Sequence, residues 1–178
     1  MQIEQRIPLL EEILDEWRDV IGADLTAYKN HVYRMIHFCL ALRQCSAEEK
    51  EKIVIAGAFH DIGLWSENTV DYLPPSVDEA RKYLKRTGRD AWSDEIAAMV
   101  DDHHKLTPAE NDSPLVELFR KGDLADFSLG MIKSGLGGDV IKAVQNAFPN
   151  AGFHAMLVRR ATAWFLRHPL NPAPMMKL

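Results

Sequence analysis

Residues 46–63 read SAEEKEKIVIAGAFHDIG, and whether this stretch is a strand or a helix decides the fold. Alone, the apolar run Ile53–Phe59 has the composition of a central strand. Ser46 followed by Glu49, however, is the pattern of a capping box: the hydroxyl accepts from an orphan backbone N–H while the glutamate reaches back to the cap. About sixteen residues then separate the cap from Gly63, a length that suits a helix better than a strand. A buried helix is therefore expected, carrying His60 and Asp61 at its end and closed by Gly63.

Working outward toward the N-terminus, Ile3, Ile7, Leu10, Ile13, Leu14, Trp17 and Val20 recur at helical spacing and predict an amphipathic first helix. A second is expected from about Leu25 to Arg43, with Val32, Met35, Ile36, Cys39, Leu40 and Leu42 on its inner side. Toward the C-terminus, Gly63–Pro75 reads as a loop punctuated by Gly63, Asn68, Asp71, Pro74 and Pro75. Ser76 with Glu79 predicts a capped helix stopping at Gly88, and Ser93 a helix ending near Lys105. Ser113 with Pro114 opens a helix to about Gly130. Asp139–Phe148 and Ala151–His168 complete the set, followed by a loosely held Pro-rich tail at 169–178. The expected architecture is all-α: one domain over 1–178, a bundle of seven or eight helices.

Composition narrows the class. The 178 residues are 47% hydrophobic and 26% charged, as in an ordinary globular domain. The longest apolar run is about a third of the roughly 20 residues that cross a bilayer, and Glu4 and Arg6 interrupt any signal-peptide core, so a cytoplasmic chain is expected with no membrane partner. The net charge of −5 opposes binding to a nucleic-acid polymer. Cys39 and Cys45 offer neither a disulfide framework nor a cysteine metal site, which leaves His, Asp and Glu to hold any metal.

His60 and Asp61 end the most apolar helix, where an ionised carboxylate is strongly disfavoured unless paired or metal-bound. Consecutive helical side chains diverge by about 100°, so the two share a cation only if it lies against the helix, with other helices adding ligands. His31 and Asp123 are the candidates. Two neutral imidazoles and two carboxylates form a mixed N/O set of charge −2, suited to a divalent cation.

A lone His31, the pair His60-Asp61 followed by Gly63, and a distant Asp123 within Gly122-Asp123-Leu124-Ala125-Asp126 resemble the HD superfamily of metal-dependent phosphohydrolases, over about residues 25 to 130. The resemblance implies an HD-type helical bundle, and hydrolysis of a phosphate ester of a nucleotide or other small phosphorylated metabolite. It further implies one divalent metal ion on His31, His60, Asp61 and Asp123, with Mn, Co, Ni, Fe, Mg and Zn all open, and Asp61 also orienting the attacking water. Some branches of the superfamily carry extra histidines where His103 and His104 stand and bind two metals. They also place a histidine between the pair and that region, whereas none occurs from Leu64 to Asp102. One metal is therefore preferred, with His103 or His104 and Lys105 at the phosphate end of the pocket, His103 being the ring expected to face the core.

Arg34, one turn beyond His31, and Lys105 are expected to contact phosphate, and Trp65 to touch substrate. The Gly63–Pro75 loop, with Trp65 and Tyr72, is expected to act as a lid or specificity wall. Asp126 is read as a support for a ligand or a surface charge, and His37, His154 and His168 as ordinary residues. Two other functions stand as alternatives: a di-iron oxygenase of the same superfamily, and a non-catalytic ligand-binding domain stabilised by its metal. A homo-oligomer is left open.

Overall fold

A computed structural model describes residues 2–105, 107–109 and 113–176. Among them there is no strand, and eight helices of nine residues or more pack around a common core. The longer helices are α1 (Pro8–Glu16), α3 (Leu25–Leu42), α4 (Ala47–Phe59), α6 (Leu73–Arg86), α7 (Ser93–Asp102), α8 (Pro114–Phe127), α9 (Gly138–Ala147) and α10 (Phe153–Arg167). Two single turns, α2 (Arg18–Ile21) and α5 (Gly63–Ser66), lie between them. No helix of the described residues is long and apolar enough to cross a membrane.

Residues 46–63 settle as a helix because both halves of the capping box form. Ser46 Oγ accepts from Glu49 N at 3.2 Å, and Glu49 Oε2 accepts from Ser46 N at 2.7 Å. From Ile53 to Phe59 every residue is buried. That explains the strand-like composition: a helix covered on all sides shows no polar face. α3 is similarly enclosed and crosses α8 in the centre of the bundle.

The α3–α8 crossing depends on Gly122. A Cβ there would press on Cys39 Sγ and stand 3.0 Å from the Met35 carbonyl oxygen, so only glycine lets the two backbones approach. Gly122→Ala is expected to destabilise the protein by about 1–3 kcal/mol through overpacking; a urea midpoint unchanged from the parent protein would contradict this close approach.

Several boundaries differ from expectation. The first helix starts at Pro8, not near Ile3, because proline at the first helical turn sets its start. Residues before it are pinned to α3, with Glu4 N donating to His37 Nε2 and Ile7 N to Tyr33 Oη. The predicted stripe therefore breaks at both ends, and Val20 is exposed.

The expected 63–75 loop is shorter than its punctuation suggests. Gly63 opens α5 instead of merely ending α4, and Pro74 and Pro75 lie in the first turn of α6, where missing N–H groups leave no bond unmade. Ser76 is then inside α6 and is no cap: it is fully buried, and its Oγ accepts from Gly63 N at 3.0 Å. Ser93 likewise follows a short 3-10 turn, Asp90–Trp92, and makes no capping bond, whereas Ser113 does cap α8.

The stretch from Pro169 turns back on the bundle. Trp164 Nε1 donates to the Asn171 carbonyl, Leu170 is exposed, and Met175 packs against the core. The last two residues of the expected tail lie outside the described ones.

Candidate metal centre

Four helices deliver the polar core. α3 supplies His31, the turn after α4 supplies His60 and Asp61, the end of α7 supplies His103 and His104, and α8 supplies Asp123 and Asp126. Because α4 stops at Phe59, the His-Asp pair sits in a turn, and both side chains reach one point.

The protonation pattern of the two central rings follows from their partners. His60 Nδ1 lies 2.8 Å from the Gly57 carbonyl and His31 Nδ1 lies 2.7 Å from Asp126 Oδ2. A carbonyl or carboxylate oxygen only accepts, so each Nδ1 donates and each Nε2 of a neutral ring is left with its lone pair. Those two Nε2 atoms face each other at 2.9 Å. Asp61 Oδ2 stands 3.7 and 3.3 Å from the His31 and His60 Nε2 atoms, and Asp123 Oδ1 stands 3.4 and 3.7 Å from them.

Four acceptors thus converge, deep in the protein, on a point with no donor. Such an arrangement needs a cation, either a proton or a metal ion. Burial alone opposes charge on His60, yet Asp61 and Asp123 push its pKa up to about 9. His31, His60 and Asp61 form a group whose ligand atoms lie close enough to hold one metal ion. With Asp123 the donors are two imidazole nitrogens and two carboxylates, and each imidazole is anchored through Nδ1, as metal-ligating histidines are. The residues fit a divalent ion.

Residues 28–130, more than half of the chain, match the family model of the HD domain. The chain belongs to the HD domain family. No curated protein and no solved structure matches it.

The HD span contains His31, His60, Asp61, His103, His104, Asp123 and Asp126. His103 faces the core as expected. Its Nδ1 donates to the Val100 carbonyl at 2.6 Å, and its Nε2 stands 3.6 Å from Asp61 Oδ1, both of these atoms being buried without a hydrogen-bond partner. Asp61, His103 and His104 form a second group close enough for an ion. In that group His104 Nε2 is already hydrogen-bonded to Tyr72 Oη. Burial, followed by the neighbouring His103, holds the His104 pKa well below its ordinary value, so its ring is neutral.

Three expected substrate contacts of the HD site lie elsewhere. Arg34 is buried, and its Nε and Nη2 donate to the two Asp126 oxygens at 2.5 and 2.8 Å, while Nη1 donates to the Phe148 carbonyl. It steadies the carboxylate that orients His31, with its guanidinium turned to Asp126 and the backbone at 148–149 and absent from the cavity wall. Lys105 pairs with Asp102 at 3.4 Å and is absent from the cavity wall beside the centre. Trp65 packs on Tyr28 with ring centroids 4.7 Å apart and donates from Nε1 to Asp24, also away from that wall. It anchors α5. Of the two aromatics expected in the lid, only Tyr72 reaches the cavity.

A cavity of about 210 Å³ opens beside His31, Asp61 and Asp123. Its far wall is α10 and the returning chain end, beyond the HD span. Phe153 stacks on His31 at 4.1 Å, and His154, read as an ordinary residue, lines the cavity. The helical periodicity of α10 was legible, but nothing local marks which of its faces meets a site built 30 to 120 residues earlier.

Proposed function

We propose that this HD protein hydrolyses a phosphate ester of a small metabolite at one divalent ion held by His31, His60, Asp61 and Asp123. The observation carrying this reading is the convergence of four acceptors on one buried point with both ring Nδ1 atoms already committed. A divalent ion supplies Lewis acidity toward a phosphoryl oxygen and toward water. In the balanced reaction the water oxygen joins phosphorus, the P–O bond to the alcohol breaks, and one proton passes from water to the departing oxygen.

The chain's own residues divide the remaining work. Asp61 turns Oδ2 to the central histidines and leaves Oδ1 with His103 Nε2, so a water proton has an unpartnered acceptor there. Tyr72 and His104 hold each other at the cavity wall and present polar atoms to the reacting end of a substrate. Asp126, fastened by Arg34, keeps His31 in the tautomer whose Nε2 faces inward.

The Asp61, His103 and His104 group favours a second reading, a two-metal oxygenase. The Tyr72 contact counts against it, because it leaves two open donors in that group. The readings separate experimentally. Replacing His103 and His104 together with Ala should leave about one ion per chain by elemental analysis while lowering phosphate release by roughly 10²-fold or more, the usual contribution of acid–base groups. Loss of a second iron, with substrate-dependent oxygen uptake in the unmodified protein, would favour the oxygenase instead. A panel of phosphate esters with added Mn²⁺, Co²⁺, Ni²⁺ or Mg²⁺ tests the hydrolytic reading directly; no phosphate release with any ester would reject it.

A further inference from the structure

We infer that the cavity selects an ester whose alcohol portion is apolar and about one aromatic ring in size, not a nucleoside; this rests on the hydrolytic reading above. The polar groups of the cavity crowd at one end, where His31, Asp61, Asp123, Tyr72 and His104 lie. Apart from His154 and Arg160, the rest of the wall is hydrocarbon and includes Leu64, Val70, Phe127, Leu157, Val158 and Met175, drawn from five separate stretches of chain.

Among the described residues, the one arginine or lysine on that wall is engaged. Arg160 Nη1 donates to the Leu64 carbonyl at 2.8 Å and to Asn68 Oδ1 at 3.2 Å, its Nη2 faces Asp24 Oδ2 at 3.6 Å, and the guanidinium lies over the Trp65 ring. His154 is also engaged, through Nε2 with the Phe127 carbonyl and Nδ1 with Asn150. Among the described residues a second phosphate would meet no unengaged cation, and ribose hydroxyls or base edges would be buried with few hydrogen-bond partners, a strongly unfavourable exchange for water.

Size points the same way. A dry cavity of roughly 150 Å³ accommodates benzene, and pockets for larger ligands run from about 300 Å³ upward. At about 210 Å³ the cavity lies between them. It takes a phenyl group or a short branched alkyl chain with its phosphate turned to the His-Asp end.

The test is calorimetric titration of the purified protein, supplemented with Mn²⁺, with phenylphosphonate, methylphosphonate and AMP. The two phosphonates share an anionic head that is not hydrolysed and differ in their apolar body. Phenylphosphonate should bind about tenfold or more tightly than methylphosphonate or AMP. Val158→Asn, at an exposed position on the cavity rim, should weaken phenylphosphonate more than methylphosphonate and so remove most of that preference without adding charge, and Ala161→Leu should do so by narrowing the cavity.

Equal binding of the two phosphonates, tighter binding of AMP, or no binding of either phosphonate would overturn the inference. Phosphate release from phenyl phosphate, measured in parallel, reports on the underlying reading. Preferential phenylphosphonate binding without any such release would reject the hydrolase and leave the apolar recess standing. Release from AMP in preference to phenyl phosphate would keep the hydrolase and reject the recess as its selector.

Discussion

Asp61→Ala should empty the metal centre. Of the four converging groups, Asp61 is the one that faces both central histidines and His103, with Oδ2 3.3 Å from His60 Nε2 and Oδ1 3.6 Å from His103 Nε2. Without it, two imidazoles and one carboxylate remain, and a hard divalent ion loses half of its anionic ligands. Elemental analysis should fall from about one ion per chain to near zero after dialysis. Ester hydrolysis should fall by roughly a thousandfold, corresponding to about 4 kcal/mol of lost transition-state stabilisation. Far-ultraviolet circular dichroism should be unchanged, since Asp61 lies in a turn and its carboxylate caps no helix. Full metal content in this variant would reject the centre as described.

Arg34→Met is the second large effect, and it acts on stability. The substitution leaves Asp126 as a buried carboxylate with one donor, His31 Nδ1, where it had three, and frees the Phe148 carbonyl. Removing one partner of a buried ion pair destabilises by about 3–5 kcal/mol, which in a chain of this size lowers Tm by roughly 10 °C. Metal affinity should also weaken by about 10–100-fold, because the group that fixes the His31 ring is no longer held. Adding Asp126→Asn should restore much of the stability, since the amide oxygen still accepts from His31 without a buried charge. An arginine that bound phosphate would behave differently, raising KM with Tm intact, and that pattern would overturn the structural role assigned here.

The same pair sets an acid limit. Burial tends to raise the Asp126 pKa, but the hydrogen bonds from His31 and Arg34 hold it at about 2, below its ordinary 3.8. A folded-state pKa below the unfolded value means stability that is complete above about pH 4 and is lost as pH falls toward 2, here about 2 kcal/mol. In Arg34→Met this portion of the acid dependence should shrink, which equilibrium unfolding at pH 5 and pH 3 would measure.

What could be read from residues alone was what neighbours in sequence decide. The Ser46 and Glu49 cap resolved an apolar run that composition left open, and it did so with atoms three residues apart. The convergence of His31, His60, Asp61 and Asp123 was legible because a carboxylate at the end of an apolar helix is strongly disfavoured without a partner or a metal ion, and because the ordered His31, His60-Asp61 and Asp123 resemble the HD pattern. Pro8, by contrast, was a local signal passed over: proline at a first helical turn marks a start, and a stripe extended through it overran the helix.

Only the tertiary structure decided the rest. One turn from His31, Arg34 had the spacing of a phosphate contact, yet its partner Asp126 lies 92 residues away and draws its Nε and Nη2. Trp65 had the position of a lid residue, but Asp24 and Tyr28 hold it behind the wall. The apolar cavity is closed by α10 and the returning chain near Met175, outside the HD span, against Leu64, Val70 and Phe127 inside it. Helical periodicity specifies that one face is buried, whereas what that face meets depends on how distant helices cross, and no local pattern of residues encodes a crossing.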